Sequence, residues 1–405
     1  MKQQITRTGL LAGSALAAAS LLACGGGGSS ATPAAPVSTQ GTLSVALTDA
    51  PACGFDAVNV SVSKVRVNKS AAASDTEAGW TDITLSPAKK INLLNLANGV
   101  VDVLGQATLE AGHYSQIRLV LDDNASGTAN TVLPTGGKAE QPLDTPSAVK
   151  SGLKIVGEFD VAAGQKSDLV IDFDACKSVL TKGNGKYALK PVLKLAPSAT
   201  LNGISGYVAT ALLGSHVSVS AQQGGKIVSA TTPDASTGQF ALTRLAPGNY
   251  DVVITADNSA AAVIGAVPVG STSSTTTLST AAAPLTLAAG NTGSIGGTVT
   301  MTPPSATEAA YVAAKQSFGT GPTVTIKYQG ADLASGAYTL ANLPVAAPQY
   351  AVYSATLPLS FAAAAGATGG KYSVEASATG YTAKQVDGVD ISTANQAGVN
   401  FTLAP

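Results

Sequence analysis

Along most of the chain, apolar residues recur at every second position, the period of a strand with one face buried. In residues 42–48 (TLSVALT) this puts Leu43, Val45 and Leu47 on one face, and in residues 58–63 Val58, Val60 and Val62 stand against Asn59, Ser61 and Ser63. The same alternation carries Ile117, Leu119 and Leu121, then Leu169, Ile171 and Phe173, and a closing strand from Tyr187 and Leu189 to about Leu195. Only residues 93–104 (LLNLANGVVDVL) have a helical look, and Asn98-Gly99 shortens or breaks that segment. Residues 41–197 therefore read as one antiparallel β-sandwich with a small helical excursion.

Beyond residue 200 the pattern repeats. Gly203-Ile204-Ser205-Gly206-Tyr207-Val208 opens one unit and Ser294-Ile295-Gly296-Gly297-Thr298-Val299 the next. Gly238-Gln239-Phe240-Ala241-Leu242 leads to Leu245-Ala246-Pro247-Gly248-Asn249-Tyr250 in the first, and Gly336-Ala337-Tyr338-Thr339-Leu340 leads to Leu343-Pro344 in the second. There the second copy departs into an Ala-rich insertion, and the expected ending returns as Gly370-Lys371-Tyr372, so the repeat is split. A strand with alternating apolar residues, a turn with Pro and Gly, and a second strand opened by Tyr make a hairpin with one apolar face. Leu109-Glu110-Ala111-Gly112-His113-Tyr114 has the same turn chemistry. The expected fold class is all-β: three consecutive antiparallel, Ig-like or transthyretin-like β-sandwich domains, at 41–197, 200–290 and 294–405.

The N-terminus changes the setting. Lys2 and Arg7 precede an uncharged apolar run over residues 9–23 that is too short to span a bilayer. It ends at Leu21-Leu22-Ala23-Cys24, which resembles the lipobox of bacterial lipoproteins. The resemblance implies that residues 1–23 are a signal peptide and that Cys24 becomes the lipidated first residue. Residues 24–40, rich in Gly, Ser, Pro and Ala, would form a flexible tether. Two or three acyl chains suffice for stable attachment. Gly25 in place of an aspartate favours the outer membrane, on either face.

Charged residues make up only 12 % of the chain while 45 % is hydrophobic, against about 25 % charged in an average domain. Without Lys2 and Arg7, 21 basic residues face 24 acidic ones. No basic patch exists, so nucleic acid is excluded as a partner. With Cys24 acylated, Cys53 and Cys176 remain of the three cysteines. In an oxidising compartment they are expected to form a disulfide, contributing up to about 4–5 kcal/mol in the chain-entropy account; two separate buried thiols are the other reading.

Residues 42–67 (TLSVALTDAPACGFDAVNVSVSKVRV), Trp80, Asn92-Leu93-Leu94, residues 112–119 (GHYSQIRL) and Asp172-Phe173-Asp174 to Ser178, in that order, resemble the bacterial domain-of-unknown-function family numbered 4382 over about residues 41–197. That family implies an exported lipoprotein and no assigned activity. Through Gly-x-Phe-x-Leu and Leu-x-Pro-Gly-x-Tyr, the two repeats resemble carboxypeptidase regulatory-like domains, which are related to carbohydrate-binding-like folds and usually serve as accessory modules.

Catalytic equipment is thin. His113 and His216 are the only histidines and read as turn or surface residues; no metal-binding spacing, nucleophile elbow or phosphate loop occurs. No enzyme activity and no cofactor are expected. Asp172 and Asp174 share a strand face and are calcium candidates, or else solvated or turn-capping aspartates. Trp80, the only tryptophan, is a candidate for stacking on a sugar, or else packs at a sheet edge; Tyr207, Tyr250, Tyr338, Tyr372 and Tyr381 read as core residues with hydroxyls at the rim. The leading expectation is a lipid-anchored, non-enzymatic structural or interaction protein of the cell envelope. The alternative is a carbohydrate-binding lipoprotein that holds a polysaccharide or peptidoglycan. Partners would be the membrane through the lipid, a cell-wall or surface polysaccharide, or another envelope protein.

Overall fold

The computed structural model describes residues 39–49, 54–155, 157–197, 202–305, 308–319, 321–363 and 367–405. The expected signal, Cys24 and most of the tether, as well as Cys53, lie outside these residues. The fold is all-β, with three hydrophobic cores.

The first core lies between two sheets. One is four-stranded, in the order Leu193–Pro197, Lys166–Phe173, Gln40–Asp49, Asp102–Glu110. The other is built around the long strand Phe55–Asn68, which pairs with Thr81–Asn92, Gln116–Leu121 and Thr131–Pro134. The alternating residues fill the space between: Leu43, Val45, Leu47, Val58, Val60, Val62, Ile171 and Phe173 are fully buried. Alternation fails to describe the other face of Gln116–Leu121, where Gln116, Arg118 and Val120 are buried as well. The 69–79 loop folds over that face, and its carbonyls at Ser70, Ala71 and Ala73 accept from the Gln116 amide. The segment with a helical look becomes a short 3-10 turn, Leu93–Leu96, capped by Asn92, whose side chain accepts from Leu94 N–H. Asn98-Gly99 then turns the chain at φ 59° and 75° into Asp102–Glu110.

The two repeats share one topology. Gly203–Tyr207 pairs antiparallel with Gln239–Thr243 and parallel with Thr275–Thr277; Thr292–Met301 pairs antiparallel with Ala337–Pro344 and parallel with Phe401–Leu403. The opposing sheets run Lys226–Thr231, Ser218–Gln223, Gly248–Thr255, Ala262–Val269 and Thr323–Gly330, Tyr311–Ser317, Lys371–Ser377, Lys384–Asp390. The turn before each Gly-x-aromatic-x-Leu strand is also the same. Asp234 Oδ1 accepts from the backbone N–H and hydroxyl of Ser236 and Thr237, and Asp332 Oδ1 accepts from Ala334 N–H and from Ser335 N–H and hydroxyl. Each turn closes on a glycine, Gly238 (φ 70°) and Gly336 (φ 69°). A side chain there would strike the carbonyl of Val208 or Val299, so both conformation and space demand glycine.

The insertion of the second repeat does not stay with its own sandwich. Its strand Gln349–Val352 adds in parallel to Ala262–Val269 of the preceding repeat, and Ala362–Ala363 pairs onto it in turn. The sheet of Lys226–Thr231, Ser218–Gln223, Gly248–Thr255 and Ala262–Val269 is thus lengthened by a segment from much further along the chain.

Candidate functional site

The three cores meet, and their meeting place is held by polar side chains that act as backbone. Gln222 is fully buried; its amide nitrogen donates to Thr325 O (2.7 Å) and its carbonyl accepts from Thr325 N–H (2.8 Å), as a neighbouring strand would. Asn98 accepts from Ala241 N–H and from the Thr231 hydroxyl. Asp332 Oδ2 accepts from Gly183 N–H (2.7 Å), Leu333 N–H donates to Thr181 O and the Tyr311 hydroxyl donates to Lys177 O. Burial raises the pKa of Asp332, but the bonds from Ser335, Thr181 and Gly183 outweigh it and hold the carboxyl down to about 2. The junction thus combines these bonds with apolar packing, since Val253, Ala261 and Val263 of the second sandwich share one core cluster with the third.

A cavity of about 590 Å³ opens at the centre of that junction, lined from all three sides. Phe55, Cys176 and Leu180 come from the first sandwich, His216, Val253 and Asp257 from the second, Ile326, Lys327 and Asn342 from the third. His216 sits in a turn at φ 45°, which turns its ring toward Asp257. His216 Nδ1 lies 2.7 Å from one Asp257 oxygen and the Asn342 amide donates to the other at 3.1 Å. Lys327 makes no hydrogen bond or ion pair with any described residue; burial pushes its ammonium pKa down, and the Asp257 charge opposes the shift. Beside it desolvation raises the Tyr328 hydroxyl well above the ordinary value, and Asp174 adds to the effect.

The residues singled out in the sequence are scattered around this cavity. Asp174 caps the short helix Ala175–Ser178, accepting from Lys177 N–H (3.0 Å), and pairs with Lys177 Nζ at 2.8 Å. Asp172 lines a separate polar cleft of about 190 Å³ with Asp49, Asp174 and Arg244. Burial raises its carboxyl pKa, against Lys194 at 3.6 Å. Asp172 and Asp174 are thus near one another but committed to cations of the chain. Among the described residues, no group of three or more His, Cys, Asp or Glu side chains is placed to hold a metal ion.

Trp80 is half-buried before Thr81–Asn92, its indole N–H donating to Ser74 O at 2.8 Å. The guanidinium groups of Arg66 and Arg118 stand over the ring at 4.7 and 4.8 Å, a cation–π arrangement that occupies the surface on which a sugar would stack. Arg118 is itself fixed by Gln116 and by the carbonyls of Ser151 and Ala73. Tyr250, Tyr338 and Tyr372 are buried, with hydroxyls donating to Ala246, Val399 and Pro344 carbonyls.

His113 lies on the outer surface in the two-stranded ribbon Gly112–Tyr114 with Phe159–Val161. Its Nδ1 meets Asp160 at 2.9 Å and its Nε2 meets Glu158 at 3.2 Å. Hydrogen bonds to the two carboxylates, Asp160 first, raise its pKa above 6.5. With both nitrogens directed at carboxylates, the ring favours the cation and offers no free base.

Cys176 is buried. Cys53 lies outside the described residues. Ala175 N–H donates to Asp49 Oδ1 at 3.1 Å, and Gly54 lines the same cavity as Cys176.

Lys327, Asp257 and Gln222 were not apparent as site residues. Thr323, Thr325 and Lys327 alternate with Val324 and Ile326 as on a solvated strand face, and nothing local in sequence says that another sandwich covers that face.

Residues 40–191 match the family described as domain of unknown function (DUF4382). No curated protein matches. Among solved structures, a chain from an interface mutant of the type II cohesin–X-dockerin complex of Acetivibrio cellulolyticus is 25 % identical over 22 % of this chain, with a TM-score of 0.18; the chain spans 58 % of that one's length. The major pilin SpaA of Corynebacterium diphtheriae is 12 % identical, with 90 % of this chain and 100 % of the pilin covered and a TM-score of 0.20. BcpA, the major pilin subunit of Bacillus cereus, is 14 % identical, with 90 % and 99 % covered and a TM-score of 0.15.

Proposed function

We propose that this is a lipoprotein of the bacterial outer membrane, anchored through Cys24 after removal of residues 1–23, whose three sandwiches act as one stiff, non-enzymatic structural or interaction module. The observation that carries the reading is the way the sandwiches are joined. Gln222, fully buried, and Asn98 and Asp332, half-buried, bond to backbone of a neighbouring sandwich, so the bonds fix orientation as well as contact. A tether of small residues and prolines would set that body off the membrane. The shared topology of residues 203–277 and 292–403 supports reading both as carboxypeptidase regulatory-like sandwiches, accessory in role.

We also propose the Cys53–Cys176 disulfide, supported by the approach of Asp49 and Gly54 to the Cys176 region. In a Gram-negative host, the full chain is expected to incorporate an alkyne-labelled fatty acid and to sediment with outer membranes, and Cys24→Ser to lose both. Non-reducing peptide mapping is expected to join the two cysteine peptides. Pull-down on peptidoglycan and surface polysaccharides is expected to show no saturable binding; binding that disappears in Trp80→Ala would replace this reading with the carbohydrate-binding one.

A further inference from the structure

The central cavity holds an ammonium, that of Lys327, which makes no hydrogen bond or ion pair with any described residue. The cavity's volume of about 590 Å³ falls in the range of ligand pockets. A partly buried ammonium without a partner is costly. Lys327 is in that position: the Asp257 charge acts on it, while the Asp257 oxygens make their bonds to His216 and Asn342.

From this geometry we infer that the cavity binds a small amphipathic carboxylate, its head on Lys327 Nζ and its apolar part against Phe55, Leu180, Val253 and Ile326. An ammonium without a hydrogen-bond partner, with the Asp257 charge acting on it, favours a single negative charge; a phosphate dianion would be repelled more strongly by Asp257, and an amine would find that carboxylate's oxygens already bonded. The walls decide the rest of the ligand. Phe55, Leu94 and Ile227 are half-buried apolar residues of the lining; they gain by being covered with hydrocarbon but cannot satisfy the hydroxyls of a sugar. Because the lining comes from all three sandwiches, an occupant would also brace the junction and raise the melting temperature in proportion to its binding. This goes beyond a stiff envelope module, which would stand whether or not the cavity is filled.

The test uses the chain from residue 25 onward, without lipid, and octanoate, octanol and octylamine as probes in calorimetric titration. Octanoate is expected to bind saturably and to raise the melting temperature, with octanol and octylamine at least tenfold weaker. Lys327→Met, its fold checked by circular dichroism, is expected to lose at least tenfold in octanoate affinity. If that variant fails to fold, the wild-type protein still decides: bound octanoate should slow acetylation of Lys327 by acetic anhydride, read by mass spectrometry, and leave exposed lysines such as Lys138 unchanged. Absence of saturable octanoate binding, equal binding of octanol, a preference for octylamine, or unchanged affinity in folded Lys327→Met would each overturn the inference.

Discussion

Tyr250 donates to the carbonyl of Ala246, four residues upstream, and Tyr114 donates to Glu110 O in the same way; Tyr372 makes the corresponding bond to Pro344 across the whole insertion. The bond ties the start of one strand to the preceding turn, as tyrosine corners do in other sandwiches. Tyr372→Phe keeps the ring and removes one donor from a buried carbonyl. It is expected to cost about 1–3 kcal/mol, and Tyr250→Phe, whose bond is less buried, about 0.5–1.5 kcal/mol, read by urea unfolding. At the other extreme of burial stands His113, whose pKa is raised by Asp160 and Glu158. Its folded pKa exceeds the unfolded one, so its contribution to stability is complete below about 6.5 and is lost as pH rises through the folded value. An NMR titration of the His113 ring is expected to show a midpoint above 6.5 that falls in Asp160→Asn. A midpoint at or below 6.5 in the native protein would mean that the pairs do not form in solution. The aromatic and apolar residues were readable from the sequence because burial leaves a period; Lys327 was not, because what covers its strand comes from the second sandwich, where Gln222 lies 103 residues from its partner Thr325.

Within the elements, the split repeat shows what a sequence can and cannot disclose. The strands of both copies were legible, since each has alternating residues and a diagnostic turn, and Tyr372 marked where the interrupted pattern resumed. The destination of the insertion was not legible. Gln349–Val352 is short, does not alternate strictly, and pairs in parallel with a strand of the other copy, so no local periodicity or turn records its partner. Its seat is visible only in space: Gly265 lies under the Tyr350 ring, and a Cβ there would collide with the hydroxyl. Gly265→Val is expected to push the added strand off at about 1–3 kcal/mol, with faster hydrogen exchange confined to residues 345–363. Tyr350→Ala should relieve much of the clash, giving a coupling between the two changes; additive effects would show that the ring does not rest on Gly265.

For the molecule as a whole, the sequence gives three domains with short connections, and the usual expectation for such a chain is relative movement about its linkers. The described residues from 39 onward argue against that expectation, because the sandwiches share bonds normally found inside a sheet. Gln222 is the sharpest case. A buried glutamine in a strand costs desolvation, which its two bonds to Thr325 offset, and its removal would strand both the N–H and the C=O of Thr325 in the same interface. Gln222→Leu fills a similar volume, so its effect reports the polar bonds rather than a cavity. Two buried backbone groups left unpaired correspond to about 2–6 kcal/mol, charged to the junction between the second and third sandwiches and not to either core. The wild-type chain is accordingly expected to unfold in one calorimetric transition and to scatter X-rays as a single stiff body. Gln222→Leu should divide that transition in two, with the higher midpoint nearly unmoved, and should broaden the distribution of distances in solution. A single transition that merely shifts downward would place the cooperativity elsewhere, in the contacts through Asn98 and Asp332 with the first sandwich, and would make that sandwich the organising centre of the molecule.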